Sequence, residues 1–170
     1  MSKKVERNYL EINSIQELNE PNNLPSDFAI ELVQPDNFQL NKFFYKQVGK
    51  KYRWIDRLSW SNDKWMKYIS NKNLETYVIK HSEDLLGFFE LLYSPQLNET
   101  EISYFGLLQE YIGKGIGGYA LSEAIRKSFK RNIRRVWLHT CTLDHPNALK
   151  NYIARGMTVF KKENINILDS

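Results

Sequence analysis

Apolar residues recur along this chain with two different periods. Alternation, or a short unbroken apolar run, marks strands at "FAIELVQP", closed by Pro35, at "ETYVIKH", "LLGFFELLY" and "TEISYFGLL", at "RRVWLHTCT", and at "MTVFKKENINI". Spacings of three and four mark helices over residues 36–49 and 61–72, over a stretch carrying Ile116, Ala120, Leu121, Ala124, Ile125 and Phe129, and over "HPNALKNYIARG". Ser61 stands in N-cap position for the second helix, although Lys64 sits where a capping box would carry an acid. The last helix is expected to open near Asp144 or His145, with Pro146 in its first turn, and to stop at Gly156, a residue suited to the C′ position. Residues 1–26 read as an arm, punctuated by Pro21 and Pro25. Within it "NYLEI" can add an edge strand, and "NSIQEL" starts like a short capped helix.

The three middle strands are joined by short links at "SED" and "SPQLNE", which implies antiparallel neighbours. The strand, helix and strand from residue 100 to 142 want parallel strands and a right-handed crossover. The expected architecture is therefore an α/β sheet of mixed direction, mostly antiparallel with one parallel β-α-β crossover. At 170 residues one core is expected, so residues 27–170 read as a single domain behind the arm.

Composition narrows the class. No apolar run reaches membrane-spanning length, and "MSKKVERNYLEI" lacks the apolar region of a signal peptide. The lone Cys141 cannot form an internal disulfide, so a reducing, cytoplasmic setting is expected. A net charge of +4 gives a mild bias toward phosphorylated ligands.

Chemistry concentrates at "EYIGKGIGGYALSEAIRKSF". Four of the eight glycines, 113, 115, 117 and 118, fall in six positions at the start of a helix. Bare backbone there allows close approach, and unpaired N–H groups with the positive end of the helix dipole favour an anion, most often phosphate. A glycine-rich turn needed only for tight geometry is the alternative. Residues 113–118 also match G-x-G-x-x-G, but no acid ends the next strand, "VWLHTCT", and too little chain follows for a dinucleotide fold. A P-loop is excluded because Tyr119 and Ala120 follow the glycines.

Placed after "EISYFGLL", the segment "IGKGIGGYALSEAI" resembles the acetyl-CoA pyrophosphate loop, Q/R-x-x-G-x-G/A, of the GCN5-related N-acetyltransferase (GNAT) superfamily, with Ile112 in the Gln/Arg position and Gly115 and Gly117 in the glycine positions. "HPNALKNYIARGM" is similar to the family's N-x-x-A-x-x-x-Y-x-x-x-G-F segment, with Ala148, Tyr152 and Gly156 in register, His145 for Asn and Met157 for Phe. The two motifs cover about the last 70 residues, and the first 90 match in element order only. The resemblance implies the acyl-CoA N-acyltransferase fold, with helices on both faces of the sheet. It also implies acetyl-CoA as co-substrate and acetyl transfer to a primary amine by direct attack.

Carried over, the resemblance gives Phe105, Gly106 and Leu107 backbone contacts to pantetheine. Ile112, Gly113, Lys114, Gly115, Ile116, Gly117, Gly118 and His145 complete the expected cofactor contacts. It places Tyr152 at the sulfur as the acid that protonates the departing thiolate; a core tyrosine with a bonded tip is the alternative. It places Glu101 as general base on the strand before the loop, with a solvated edge acid as the alternative and Glu90 in reserve, because an acid inside "GFFELLY" asks for a partner or a task. Alternation would put Glu101, Ser103 and Phe105 on one strand face and Ile102, Tyr104 and Gly106 on the other.

The acceptor site is expected in "FFYKQVGKKYRWIDRLSWSNDKW", where Tyr45, Trp54, Asp56, Arg57, Trp60 and Trp65 form either an aromatic cleft or ordinary core. A small-molecule amine is the preferred acceptor, and the protein is expected as a monomer or homodimer. His139 and Cys141 share a strand face without a third group, and no metal site is expected from the three histidines. Two other classes stay open. One is a non-catalytic acetyl-CoA-binding module. The other, disfavoured, is a nucleic-acid binder using Arg126, Lys127, Lys130, Arg131, Arg134 and Arg135, residues that equally suit a helix C-terminus.

Overall fold

The computed structural model describes residues 2–23 and 26–168, so Pro25 of the arm lies outside the described residues. The elements are β1 (Ser2–Ile12), β2 (Phe28–Leu32), α1 (Phe38–Gly49), α2 (Asn62–Ile69), β3 (Leu74–His81), β4 (Asp84–Ser94), β5 (Glu99–Leu107), α3 (Ile116–Ser128), β6 (Arg135–Cys141), α4 (Ala148–Ala154) and β7 (Thr158–Leu168), with 3₁₀ turns at Ile15–Glu17 and Gln109–Tyr111. One sheet runs β2-β3-β4-β5-β6-β1-β7. Every neighbouring pair is antiparallel except β5 and β6, which α3 joins as the expected parallel crossover.

Helices cover both faces of its first half. On one side Phe44 and Val48 of α1 pack on Val78 and Phe88, and the Phe44 and Phe88 rings stack 5.2 Å apart. On the other, Leu121, Ala124 and Ile125 of α3 and Tyr152 of α4 meet Phe89, Leu91, Ile102, Val136 and Leu138. Cover on both faces explains why β4 reads as an almost unbroken apolar run.

The arm's strand is not at an edge. β1 pairs with β6 along Arg7–Ile12 and with β7 along Ser2–Glu11, leaving β7 outermost. Leu10 and Ile12, fully buried in the α3-side core, hold it there. Each such side chain contributes about 1.5–3 kcal/mol. The "NSIQEL" segment forms the short capped turn, Ser14 Oγ accepting from the Gln16 N–H at 3.2 Å.

Two helix ends differ from expectation. Ser61 caps α2 through the Lys64 N–H at 3.2 Å, but the helix stops at Ile69. α4 starts at Ala148, because Asp144 is engaged at the end of β6, accepting from the Thr140 hydroxyl at 2.5 Å and the Cys141 N–H at 3.0 Å. Gly156 closes α4 as read, with φ +104°.

Candidate active site

β5 and β6 pair at three positions, Glu99 to Arg135, Thr100 to Val136 and Glu101 to Trp137, and then part. The cause lies in β5. Against β4, Glu90 faces Tyr104 while the next residue, Leu91, faces Ile102, so Ser103 is an extra residue in a β-bulge. A bulge bends its strand and sharpens the local twist. It also overturns the simple alternation expected for β5. Glu101 pairs with Leu92, which shares the α1 side with Glu90 and Tyr104, whereas Ile102 and Phe105 pack in the α3-side core. Gly106 backs onto Val48 of α1; a Cβ there would stand 2.3 Å from Val48 Cγ1.

Through this fork runs a cleft of about 680 Å³. It is lined at one end by Ile112, Gly113, Gly117 and Gly118, in the middle by Phe105, Gly106, Leu107 and Tyr152, and at the other end by Arg57, Tyr68, Glu101 and Tyr104. Beyond Glu101, β5 hydrogen-bonds β4 on one side only, and its other edge faces the opening.

At the glycine end, Gly113 (φ +81°) and Gly115 (φ +78°) take left-handed conformations that glycine alone adopts without strain, and no atom lies within 4 Å of where their side chains would begin. Gly115 caps α3, so Ile116, Gly117 and Gly118 form its first turn. Gly118 lies under Arg155, whose Nη1 would stand 2.3 Å from a Cβ there. The Ile116 side chain is core, leaving only its amide for a ligand, and Lys114 lies over the Tyr111 ring at 5.8 Å. His145 lines the cleft, accepting from the Asn147 N–H at 3.0 Å. The loop gathers unpaired helix-start amides under open space, an arrangement that suits a diphosphate.

At the opposite end a polar cluster sits on the α1 face. Glu90 is fully buried and takes bonds from Asn41 (2.9 Å), Arg57 Nη1 (3.3 Å to both oxygens) and the Tyr68 hydroxyl (2.6 Å). Arg57 donates to Tyr68 as well, at 2.8 Å, and lies against the Tyr68 and Tyr104 rings at 4.1 and 4.3 Å. Burial lifts the phenols of Tyr68 and Tyr104, so both stay protonated. The Glu101 carboxyl has no hydrogen bond among the described residues. Burial raises its carboxyl pKa, Arg57 opposes the shift, and Glu90 and Glu99 add to it. Glu101 is thus the acid left open for proton transfer, and Glu90 is fully occupied. Its need for a partner was legible in "GFFELLY"; that the partner is Arg57 was not.

Of the six residues expected around the acceptor, Tyr45 and Trp65 are core, Trp54, Asp56 and Arg57 line the cleft, and Trp60 packs on Trp65 at 5.0 Å without lining it. Tyr68, Tyr104 and Arg7 were missed. Tyr68 lay in an ordinary helix pattern, and Arg7 just ahead of "NYLEI", the segment read as a possible edge strand.

Tyr152 is 8% exposed, and its hydroxyl has no hydrogen bond among the described residues. Burial, with Asp144 adding to it, keeps the phenol protonated. Burial and Asp144 likewise keep the Cys141 thiol protonated. Among the described residues no cluster could hold a metal ion, and no helix is long and apolar enough to cross a membrane. The basic cluster is largely spent within the molecule. Arg126 pairs with Glu20 and Glu123, Arg134 and Arg135 with Glu99, while Lys127 and Arg131 lie over Tyr77 and Tyr93.

Comparison with known proteins adds to this geometry. The Acetyltransferase (GNAT) family matches residues 38–157. No curated protein sequence matches. A GCN5-related N-acetyltransferase from Sphaerobacter thermophilus superposes with TM-score 0.72 at 17% identity, over 97% of this chain and 52% of that one, so this chain spans about half its length. A spermidine N-acetyltransferase from Vibrio cholerae, solved with CoA and spermine, gives 0.64 at 19% identity over 78% and 81%. An aminoglycoside acetyltransferase from an uncultured soil metagenomic sample, solved with trehalose, gives 0.62 at 12% over 76% and 87%.

Proposed function

Since the chain belongs to the GNAT acetyltransferase family, we propose that it transfers the acetyl group of acetyl-CoA to the primary amine of a small molecule. The observation that carries this reading is the cleft itself, which passes through the sheet from a bare helix-start loop to an open carboxyl group. Two of the superposed structures bear the names of enzymes for small amines, spermidine and an aminoglycoside, which supports the acceptor class.

The residues divide the work as follows. The amides of Gly113 to Gly118 hold the diphosphate of the co-substrate. The free backbone edge of Phe105, Gly106 and Leu107 takes the pantetheine arm as an added strand. The acceptor enters over the α1 face, where Glu101 removes a proton from its ammonium. The amine nitrogen bonds to the acetyl carbon and the carbon–sulfur bond breaks; Tyr152, protonated and lining the cleft, gives its proton to sulfur, and the second proton shed by the nitrogen restores the phenol.

Thiol release from acetyl-CoA across a panel of primary amines tests the reading. Release with at least one amine, together with calorimetric binding of CoA, is the expected result. Binding without release from any amine would leave a CoA-binding module, and absence of binding would remove both.

A further inference from the structure

Placing β1 inside the sheet puts one side chain where no reading of the sequence put it. Arg7 stands opposite Cys141 of β6 and Glu163 of β7. Trp137, His139 and Cys141 alternate up β6 from the pair Glu101–Trp137, so Arg7 shares the sheet face of Glu101 and the polar cluster, not that of α3. It lines the cleft together with His139, Cys141, Ile165 and Ile167, forming the wall across the opening from the α1–α2 segment.

Its charge is met only in part, by the Tyr9 oxygen and, at longer range, by Glu163. Arg7 forms no ion pair among the described residues, and its Nε is buried with no hydrogen-bond partner. Glu163, the nearest acid by register, instead accepts the Tyr9 hydroxyl. The guanidinium meets the Tyr9 oxygen, which raises its pKa further and keeps the charge at any working pH. A half-buried cation with an idle N–H asks for an anion. Of the other arginines that line this cleft, Arg57 is bound to Glu90 and Tyr68, and Arg53 has an interaction of its own.

We infer that Arg7 anchors a carboxylate on the acceptor, so that the substrates are amines that also carry an acid group, of the amino-acid type. The inference rests on the transferase reading and deepens it. A planar carboxylate fits the terminal Nη1/Nη2 fork of a guanidinium that lines the cleft, with two parallel bonds. A doubly charged phosphate fits less well beside Asp144 and Glu163. The diphosphate of CoA belongs to the glycine end, where the loop leads onto α3 and the opposite face.

Matched amines with and without the acid group test it: phenylalanine against phenethylamine, and lysine against cadaverine, each with acetyl-CoA. The protein should favour the carboxylated member in kcat/KM by roughly 10- to 100-fold, the range of a charged hydrogen bond. Arg7→Gln should erase that preference by raising KM for the carboxylated member, with kcat within about twofold, and should leave the Kd for CoA unchanged. Arg7→Lys, which keeps the charge and loses the fork, should fall between. Thiol release with phenethylamine or cadaverine and no preference for their acids would overturn the inference and leave the transferase reading standing. So would a preference that survives in Arg7→Gln. No release with either kind of amine would overturn the transferase reading and this inference with it.

Discussion

The carboxyl group of Glu101 has a measurable signature in both rate and stability. Burial raises its pKa above that of an ordinary glutamate, with Glu90 and Glu99 adding to the shift and Arg57 opposing it. In the proposed role of general base Glu101 must be ionised, so kcat/KM should fall with decreasing pH through a value higher than a free glutamate would give. Glu101→Gln should lower the rate about 100-fold or more and abolish that acid limb. Stability should move in the opposite sense. Between the unfolded and the raised folded pKa the native state holds more protons, so stability is greatest below this window and declines as pH rises through it. Melting temperature against pH for wild type and Glu101→Gln checks this, since the variant should lose that part of the slope. At this scale the sequence was informative wherever a residue type conflicts with its surroundings, as Glu90 does in an apolar strand. It was silent on Arg7 and Tyr68, whose roles arise from neighbours far off in the chain.

Among the elements, the glycine loop and the β5 bulge do different tasks. The loop was legible because left-handed turns and helix starts leave local marks. Gly115 has open space around its missing side chain, so Gly115→Ala meets no atom and suffers only from φ +78°. The variant should lose about 1–2 kcal/mol in urea unfolding, and its CoA affinity should fall because the N-cap amides shift. The bulge was not legible. It consists of one ordinary serine, and its only trace is a mismatch between the registers of two strands. Yet it decides which face Glu101 occupies, because one extra residue inverts every side chain before it. Sequence periodicity therefore placed β5 correctly and its chemistry on the wrong partners.

For the whole molecule, the sheet's second half depends on the arm. β6 and β7 do not touch as neighbours; β1 joins them. Removing residues 2–12 would strip both strands of pairing on that side and expose Val136, Leu138 and Met157, which are at most 2% exposed in the fold. Such a truncation should fail to give a cooperative thermal transition and should elute as aggregate, whereas the full chain melts in one step. Mixed topology with one parallel crossover followed from link lengths alone. The interior seat of β1 did not, since a strand's alternation shows that it pairs but not between which partners.

That seat sets an order of events in synthesis. β1 is made first, and about 120 residues separate it from β6 and more from β7. At a translation rate of about 5–20 residues per second the strand waits roughly 6–25 s for the first of them. The part of the cleft wall that carries Arg7 thus forms only after β6 and β7 have been made, and a ribosome-bound chain already showing the glycine loop would still lack it.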